Sequence, residues 1–279
     1  MPITRPTPAP RVITRNDPIG VADKVTLVRY VDPSIDLVLG KIDGITTDVK
    51  FGRNGDIGTA TAPEDMWAGG GEYTGHPVSF TPETVSVVSA STNDTSAGTG
   101  ARTLRILGLR ASTSTAYESE DIILNGTTPV VSVNTWWRIN RAYVLTAGSG
   151  GANAGILTIN PTVTTASVFA KLPLGYNQTH IGAYTVPAKH KIIIKRLRVS
   201  ITRATGADGS ATISLRAREP GGVFRSRRIY ELSTSGSTEA SAFGGLLIGA
   251  GTDIKYRIED VSDNGTVAEG EFEYLLLPE

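Results

Sequence analysis

The chain contains no cysteine, which excludes disulfide cross-links, thiolate nucleophiles and zinc sites with cysteine ligands. Aromatic residues make up only 6% of its 279 residues. Lys plus Arg and Asp plus Glu both number 27, so the chain has no global attraction to nucleic acid. We therefore expect no nucleic-acid partner. No run of about 18 apolar residues occurs, so we also expect no membrane span.

The motifs of common enzyme classes are also missing. There is no nucleophile elbow, no HExxH pair and no phosphate-binding loop. The histidines, His76, His180 and His190, have no spacing typical of metal ligands, so we expect them at the surface or in turns. The sequence therefore predicts a protein that is not an enzyme and has no cofactor and no metal.

The composition that is present favours strands joined by tight turns. Thr and Val favour strands, whereas Gly, Asn, Asp and Ser favour turns. Short segments with alternating polar and apolar residues recur between turn signals such as Asn125-Gly126 and the glycine-rich residues 148–155. This pattern predicts an all-β fold of antiparallel β-sandwich or jelly-roll-like units. The one predicted helical turn covers residues 63–68, after Pro63.

The organisation along the chain indicates three parts. Residues 1–20 contain five prolines, which favour an extended N-terminal arm. A weak boundary near Asn160-Pro161 then divides a β-sandwich domain at 21–160 from a second one at 161–279. The alternative is one large sandwich that uses strands from both parts.

Candidate contact residues lie in the arm and beside glycine-rich or strand segments. Arg5, Arg11 and Arg15 give the arm a positive charge that suits docking on a neighbouring subunit. Trp67 lies in a glycine-rich connection, where it anchors either its own loop or a partner. Adjacent strand residues face opposite sides, so of Trp136 and Trp137 one fills the core and the other is free for another chain. Residues 215–228 hold five arginines, which form a solvated face or bind an acidic neighbour.

Four segments stand out between Pro63 and Ile159: PEDMWAGGGEY, NDTSAGTGARTLRILGL, LNGTTPV and WWRINRAYVLTAGSGGANAGILTI. In this order they resemble a group of virion structural proteins of tailed bacteriophages. The resemblance covers about one third of the chain, and proteins of this group are common in podovirus-like and cyanophage-like genomes. It implies a component of the particle, and it carries over no catalytic residue.

These observations lead to three hypotheses. The first is a capsid decoration or cement protein, a homotrimer that binds the major capsid protein or other virion proteins through the arm, Trp67 and Trp137. The second is a tail, baseplate or fibre component that binds a host surface glycan. The third, disfavoured by the missing motifs, is a polysaccharide depolymerase. Since the N-terminus lacks the apolar stretch of a signal peptide, we expect assembly into virions in the host cytoplasm.

Overall fold

The protein is an all-β molecule, which confirms the predicted fold class. The structure, a computed structural model, describes residues 33–203, 209–233 and 237–279. Within these ranges the chain forms sixteen strands, whose pairings are all antiparallel, and one short helix, α1 (Pro33–Val38). Among these residues no helix is both long and apolar enough to span a bilayer. The predicted N-terminal arm, residues 1–20, lies outside the described ranges.

Two sheets built mainly from the C-terminal half of the chain form the larger sandwich. The first sheet has the order β1-β16-β11-β14 and the second has the order β10-β15-β12-β13. The strands are β1 (Thr46–Ile57), β10 (Ala183–Thr185), β11 (His190–Arg203), β12 (Ser210–Arg218), β13 (Arg225–Ser233), β14 (Ser237–Ile248), β15 (Asp253–Val261) and β16 (Thr266–Pro278).

The order of these eight strands is that of a jelly roll. Numbered one to eight along this unit, they pair as 1-8-3-6 in one sheet and 2-7-4-5 in the other. This is the double-sheet arrangement that viral capsid, lectin and cupin domains share. Alternating apolar residues of both sheets pack into one core, which includes Ile194, Leu197, Ile213, Tyr256 and Phe272.

A second, smaller sandwich is inserted between the first and second strands of the jelly roll. Its sheets have the orders β6-β3-β8-β9 and β5-β4-β7. Trp136, Phe169 and Leu104 lie at its separate core and are fully buried. The strands are β3 (Glu83–Ser89), β4 (Ala101–Leu109), β5 (Glu118–Ile123), β6 (Val130–Trp136), β7 (Arg138–Ala147), β8 (Leu157–Pro161) and β9 (Ala170–Leu172).

Strand pairing crosses the predicted domain boundary at residue 160 in both directions. β1 lies in the predicted first domain, 21–160, yet it pairs with β16 over most of its length. β9 lies in the predicted second domain, 161–279, yet it pairs with β8. The jelly roll therefore consists of two separate stretches of sequence, because the inserted sandwich interrupts it after its first strand.

The predicted helical turn at residues 63–68 is wrong. Residues Glu64–Asp65 form a short strand, β2, which pairs with Arg257 and Ile258 of β15. Glu64 and Asp65, which suit the first turn of a helix, instead form backbone pairs with this strand of the sheet. This segment leads from the jelly roll into the inserted sandwich.

The two connections to the inserted sandwich cross β1 at a position that requires glycine. The backbone nitrogen of Gly182, on the returning connection, donates to the carbonyl of Met66, on the outgoing one, at 2.8 Å. A Cβ atom on Gly52 of β1 would lie 2.1 Å from the Gly182 nitrogen and 2.4 Å from the Met66 oxygen. Only glycine allows the three backbones to approach so closely.

Candidate functional site

A buried ion-pair cluster joins the inserted sandwich to the jelly roll. Asp253, at the start of β15, accepts from Arg218 of β12 at 2.5 Å and from Arg138 of β7 at 3.3 Å. Side chains of all three residues are at most 7% exposed. Because Arg138 belongs to the inserted sandwich and the other two to the jelly roll, this cluster fixes one unit against the other.

His76 and Thr185 complete the cluster. The hydroxyl of Thr185 donates to Asp253 at 2.5 Å and lies 3.2 Å from His76 Nε2. Burial, together with the nearby guanidinium charges, lowers the pKa of His76 to about 3, so this imidazole is neutral at physiological pH. Burial alone raises the pKa of Asp253, but the charges of its neighbours and its hydrogen bonds hold that pKa well below its usual range.

A second cluster of buried charged residues extends the junction along β15. Lys255 donates to Asp65 at 2.7 Å, and the backbone nitrogen of Tyr73 donates to the same carboxylate at 2.7 Å. Arg257 lies 3.5 Å from the other oxygen of Asp65. Burial is the largest influence on Asp65 and raises its pKa despite these cationic neighbours. This group holds the outgoing connection against the jelly roll.

The chemistry of the junction is that of a fixed structural network. The two oxygens of Asp253 are occupied by two guanidinium groups and a hydroxyl, so the carboxylate is not placed to take a proton from a substrate. Breaking such a network costs several kcal/mol, about 3–5, because one partner is left buried with an unpaired charge. No group of three or more His, Asp or Glu residues that could hold a metal occurs in the part of the chain that the structure describes.

A buried lysine lies at the other side of the same junction. Lys50 of β1 donates to the backbone carbonyl of Asn140 in β7. Burial, and then the positive charge of Arg141, lower the pKa of Lys50 to about 7. The Asn140 side chain in turn exchanges two hydrogen bonds of 3.1 Å with the backbone of Thr185. Contacts between the two sandwiches thus extend from Asp253 to Lys50.

Trp137 borders a cleft above the ion-pair cluster. The cleft has a volume of about 440 Å³, with Arg138, Arg218 and Asp253 among its lining residues. Trp137 is half-buried, and the Arg138 guanidinium lies 4.2 Å from the centre of its ring. Phe80 also lines the cleft. Among the predicted contact residues that the structure describes, Trp137 is thus the one that remains partly exposed.

Trp67 and Trp136 lie in the core of the inserted sandwich. Trp67 is 4% exposed, contacts the Tyr73 ring at 5.3 Å and donates to the Gly71 carbonyl at 3.2 Å, so it anchors its own loop. That burial removes it from the surface on which we expected a partner contact. Trp136 is fully buried, as expected for one of the two adjacent tryptophans. The predicted contact residues Arg5, Arg11 and Arg15 lie outside the described residues.

Of the histidines expected at the surface or in turns, His76 and His180 are not at the surface, since they are 6% and 7% exposed. Lys255 and Arg218 occupy polar positions of the alternating segments KYRIE and ISLRAR, which favour exposure to solvent, yet both are buried. Lys255 and Arg218 are buried because the segment from Asp65 to Pro77, within the connection at residues 58–82, covers the face of the jelly roll on which they lie. An alternating pattern marks one apolar face, but it does not reveal that a distant segment covers the other. The sequence feature that could have indicated the buried junction is Arg138, a charged residue within the apolar segment WWRIN.

The arginine-rich residues 215–228 do not form one surface. Arg218 is buried in the junction, and Arg216 lies 3.9 Å from Glu259 of the neighbouring strand. Arg225, Arg227 and Arg228 are exposed on β13, which lies at the edge of its sheet. Charged side chains on an edge strand disfavour pairing with another sheet.

Comparisons with known proteins give no family. No protein-family model matches the chain, and no curated protein matches it. The chain is similar to a structure of infectious bursal disease virus, Gx strain, with 11% identity over 88% of this chain and 78% of that chain, at a TM-score of 0.23. It is also similar to the infectious bursal disease virus VP2 subviral particle, with 10% identity over 89% and 78% of the two chains, at a TM-score of 0.18. Similarities of this size carry no argument about function or assembly.

Proposed function

We propose that this chain is a non-enzymatic structural protein of a virus particle, and specifically a decoration or cement protein on the head of a tailed bacteriophage. The observation that carries the proposal is the jelly roll, whose strand order is shared with viral capsid domains. Because lectins and cupins use the same order, the fold alone does not select one function. The resemblance of residues 63–159 to phage virion proteins favours the particle.

The buried junction supports this role physically. A protein that bridges capsomers transmits load between its two ends, so its two sandwiches need a fixed orientation. Asp253, Arg138 and Arg218 provide this through charge-assisted hydrogen bonds that solvent does not screen. The Lys50 contact provides a second attachment between the same two units.

The proposed partner contacts are the N-terminal arm and the cleft beside Trp137. The arm, with Arg5, Arg11 and Arg15, would order on the major capsid protein or another virion protein. Trp137 would insert its accessible ring face at the same interface. Burial of apolar surface would contribute about 25 cal/mol per Å² to the free energy of binding. The loss of conformational entropy when the arm becomes ordered would offset part of this gain. We propose a homotrimer, since closed symmetric oligomers suit a symmetric lattice.

Immunogold labelling of purified particles from the phage that produces this chain tests the proposal. Gold over the whole head surface is the expected result. Gold confined to the tail would replace the decoration role with the second hypothesis, a tail, baseplate or fibre component. If the particles carry no label, and a denatured sample of the same particles also lacks the chain, the virion role is overturned.

A further inference from the structure

A small pocket forms where the returning connection meets the outer face of the jelly roll. Its volume is about 270 Å³, close to the low end of ligand sites, which begin near 300 Å³. Tyr176 and His180 come from the connection after β9, and the remaining side chains come from β1, β16 and β11. Neither sandwich alone forms this pocket.

One wall of the pocket is aromatic and is held in place before any ligand arrives. Tyr176 is 51% exposed, and its ring packs edge-on against His180 at 4.6 Å. The next residue, Asn177, has a φ of 60°. It exchanges backbone-to-side-chain hydrogen bonds of 2.9 and 3.0 Å with Asn153. An exposed ring on a braced turn offers a flat apolar face at little entropic cost.

The floor of the pocket has balanced charge. Across the sheet, Arg53 of β1 is paired in register with Glu269 of β16, and their side chains lie 2.9 Å apart. In the next row Arg198 of β11 lies 3.9 Å from Glu271 of β16. Each guanidinium thus faces a carboxylate, so the pocket has no excess charge to attract an ion.

Three further polar groups around the pocket have no hydrogen-bond partner within the described ranges. They are the Tyr176 hydroxyl, the His180 ring nitrogens and the Ser200 hydroxyl. Each can both donate and accept. Burial, followed by the charge of Arg53, lowers the pKa of His180, which keeps its ring neutral at physiological pH. A ligand that satisfies such groups must itself offer both hydrogen-bond donors and acceptors, as a set of hydroxyl groups does.

We infer that this pocket binds an uncharged saccharide of one or two rings. The apolar face of a sugar ring would stack on Tyr176, because aromatic rings offer a flat apolar body with a polar tip. Neighbouring sugar hydroxyls would bind the paired Arg53 and Glu269 and the free groups of His180 and Ser200. Neither an anionic ligand nor a purely apolar one suits a surface with balanced charges and unpaired hydroxyl groups. This inference does not depend on where the chain sits on a particle.

The experiment is an array of bacterial surface oligosaccharides, probed with the fluorescently labelled full chain and three variants. Tyr176→Ala removes the stacking face, and Tyr176→Phe keeps the ring but removes the hydroxyl. Leu174→Ala is the matched control, because Leu174 is 58% exposed on the same connection and does not line the pocket. Thermal unfolding of each variant checks that the fold is intact.

We expect binding to at least one neutral oligosaccharide, a loss of about tenfold or more for Tyr176→Ala, and wild-type binding for Leu174→Ala. Tyr176→Phe should bind at an intermediate level. An array without binding, binding that Tyr176→Ala leaves unchanged, or binding confined to charged glycans would overturn the inference. The immunogold result for particle position is independent of each of these outcomes.

Discussion

Arg138 of the inserted sandwich and Asp253 of the jelly roll form a buried ion pair, with Nε 3.3 Å from Oδ1. The same carboxylate binds Arg218 at 2.5 Å, so one acidic side chain compensates two buried guanidinium groups. This relationship makes the chain one body rather than two units on flexible connections.

Asp253→Asn should destabilise the protein by about 3–5 kcal/mol, because two buried cations lose their counter-charge. Urea unfolding followed by tryptophan fluorescence measures the change. Asp121→Asn is the control, because Asp121 forms an exposed bidentate pair with Arg105, and we expect little effect there. Equal stability of the two variants would show that the junction does not hold the units together.

Gly52→Ala should destabilise the protein by about 3 kcal/mol, at the upper end of the cost of overpacking. The added Cβ would meet the backbone of Gly182 at 2.1 Å, and backbone atoms have little room to move. Gly249→Ala is the matched control, since a Cβ there has no atom within 4 Å. The same urea titration compares them, and a Gly52→Ala protein as stable as the control would contradict the crossing described for β1.

His76 should make the fold sensitive to acid. Its pKa is about 3 in the folded protein and near 6.5 when unfolded, so the unfolded state binds more protons between these values. Its contribution to stability is therefore complete above about pH 6.5 and is lost as the pH falls towards 3. The slope is at most about 1.4 kcal/mol per pH unit.

Urea titrations at pH 7, 6, 5 and 4 test this expectation against His76→Asn, which cannot take up a proton. The difference in free energy of unfolding between wild type and variant should shrink as the pH falls. Asp65 and His180 are present in both proteins, and Asp253 loses its charge only below its ordinary pKa of about 3.8. The change in this difference between pH 6.5 and 4.5 therefore belongs to His76. A difference that stays constant across this range would show that His76 binds protons equally in the folded and the unfolded protein.

Deletion of residues 1–20 should leave the free energy of unfolding unchanged and weaken binding to particles that lack the chain. This expectation follows from our proposal that the arm orders only on a neighbouring protein. Co-sedimentation of purified chain with such particles measures the binding. Full binding by the shortened chain would remove the arm, with Arg5, Arg11 and Arg15, from the interface.

Local structure was predictable from sequence where the signal itself was local. The turn at Asn125-Gly126 joins β5 to β6, and its glycine has a φ of 61°. The alternating segment at 191–201 became the central strand β11, which pairs with β14 and β16. Such features depend on neighbours in the sequence, so a single sequence reveals them.

Long-range pairing was not predictable from the same signals. Thr46 of β1 pairs with Leu276 of β16, which lies near the other end of the sequence. Alternation of polar and apolar residues indicates a strand, but it does not identify the strand with which it pairs. The junction was missed for a related reason. Lys255 and Arg218 read as solvent-facing because the segment that covers them comes from residues far earlier in the chain.

Cryo-electron microscopy of intact particles, at a resolution that traces the chain, tests the central claim most directly. We expect density for a jelly roll with an inserted sandwich, repeated over the head lattice in symmetric clusters, with the Arg138–Asp253 contact intact. Density for this fold at no position on the particle, or two sandwiches in variable relative orientations, would contradict it.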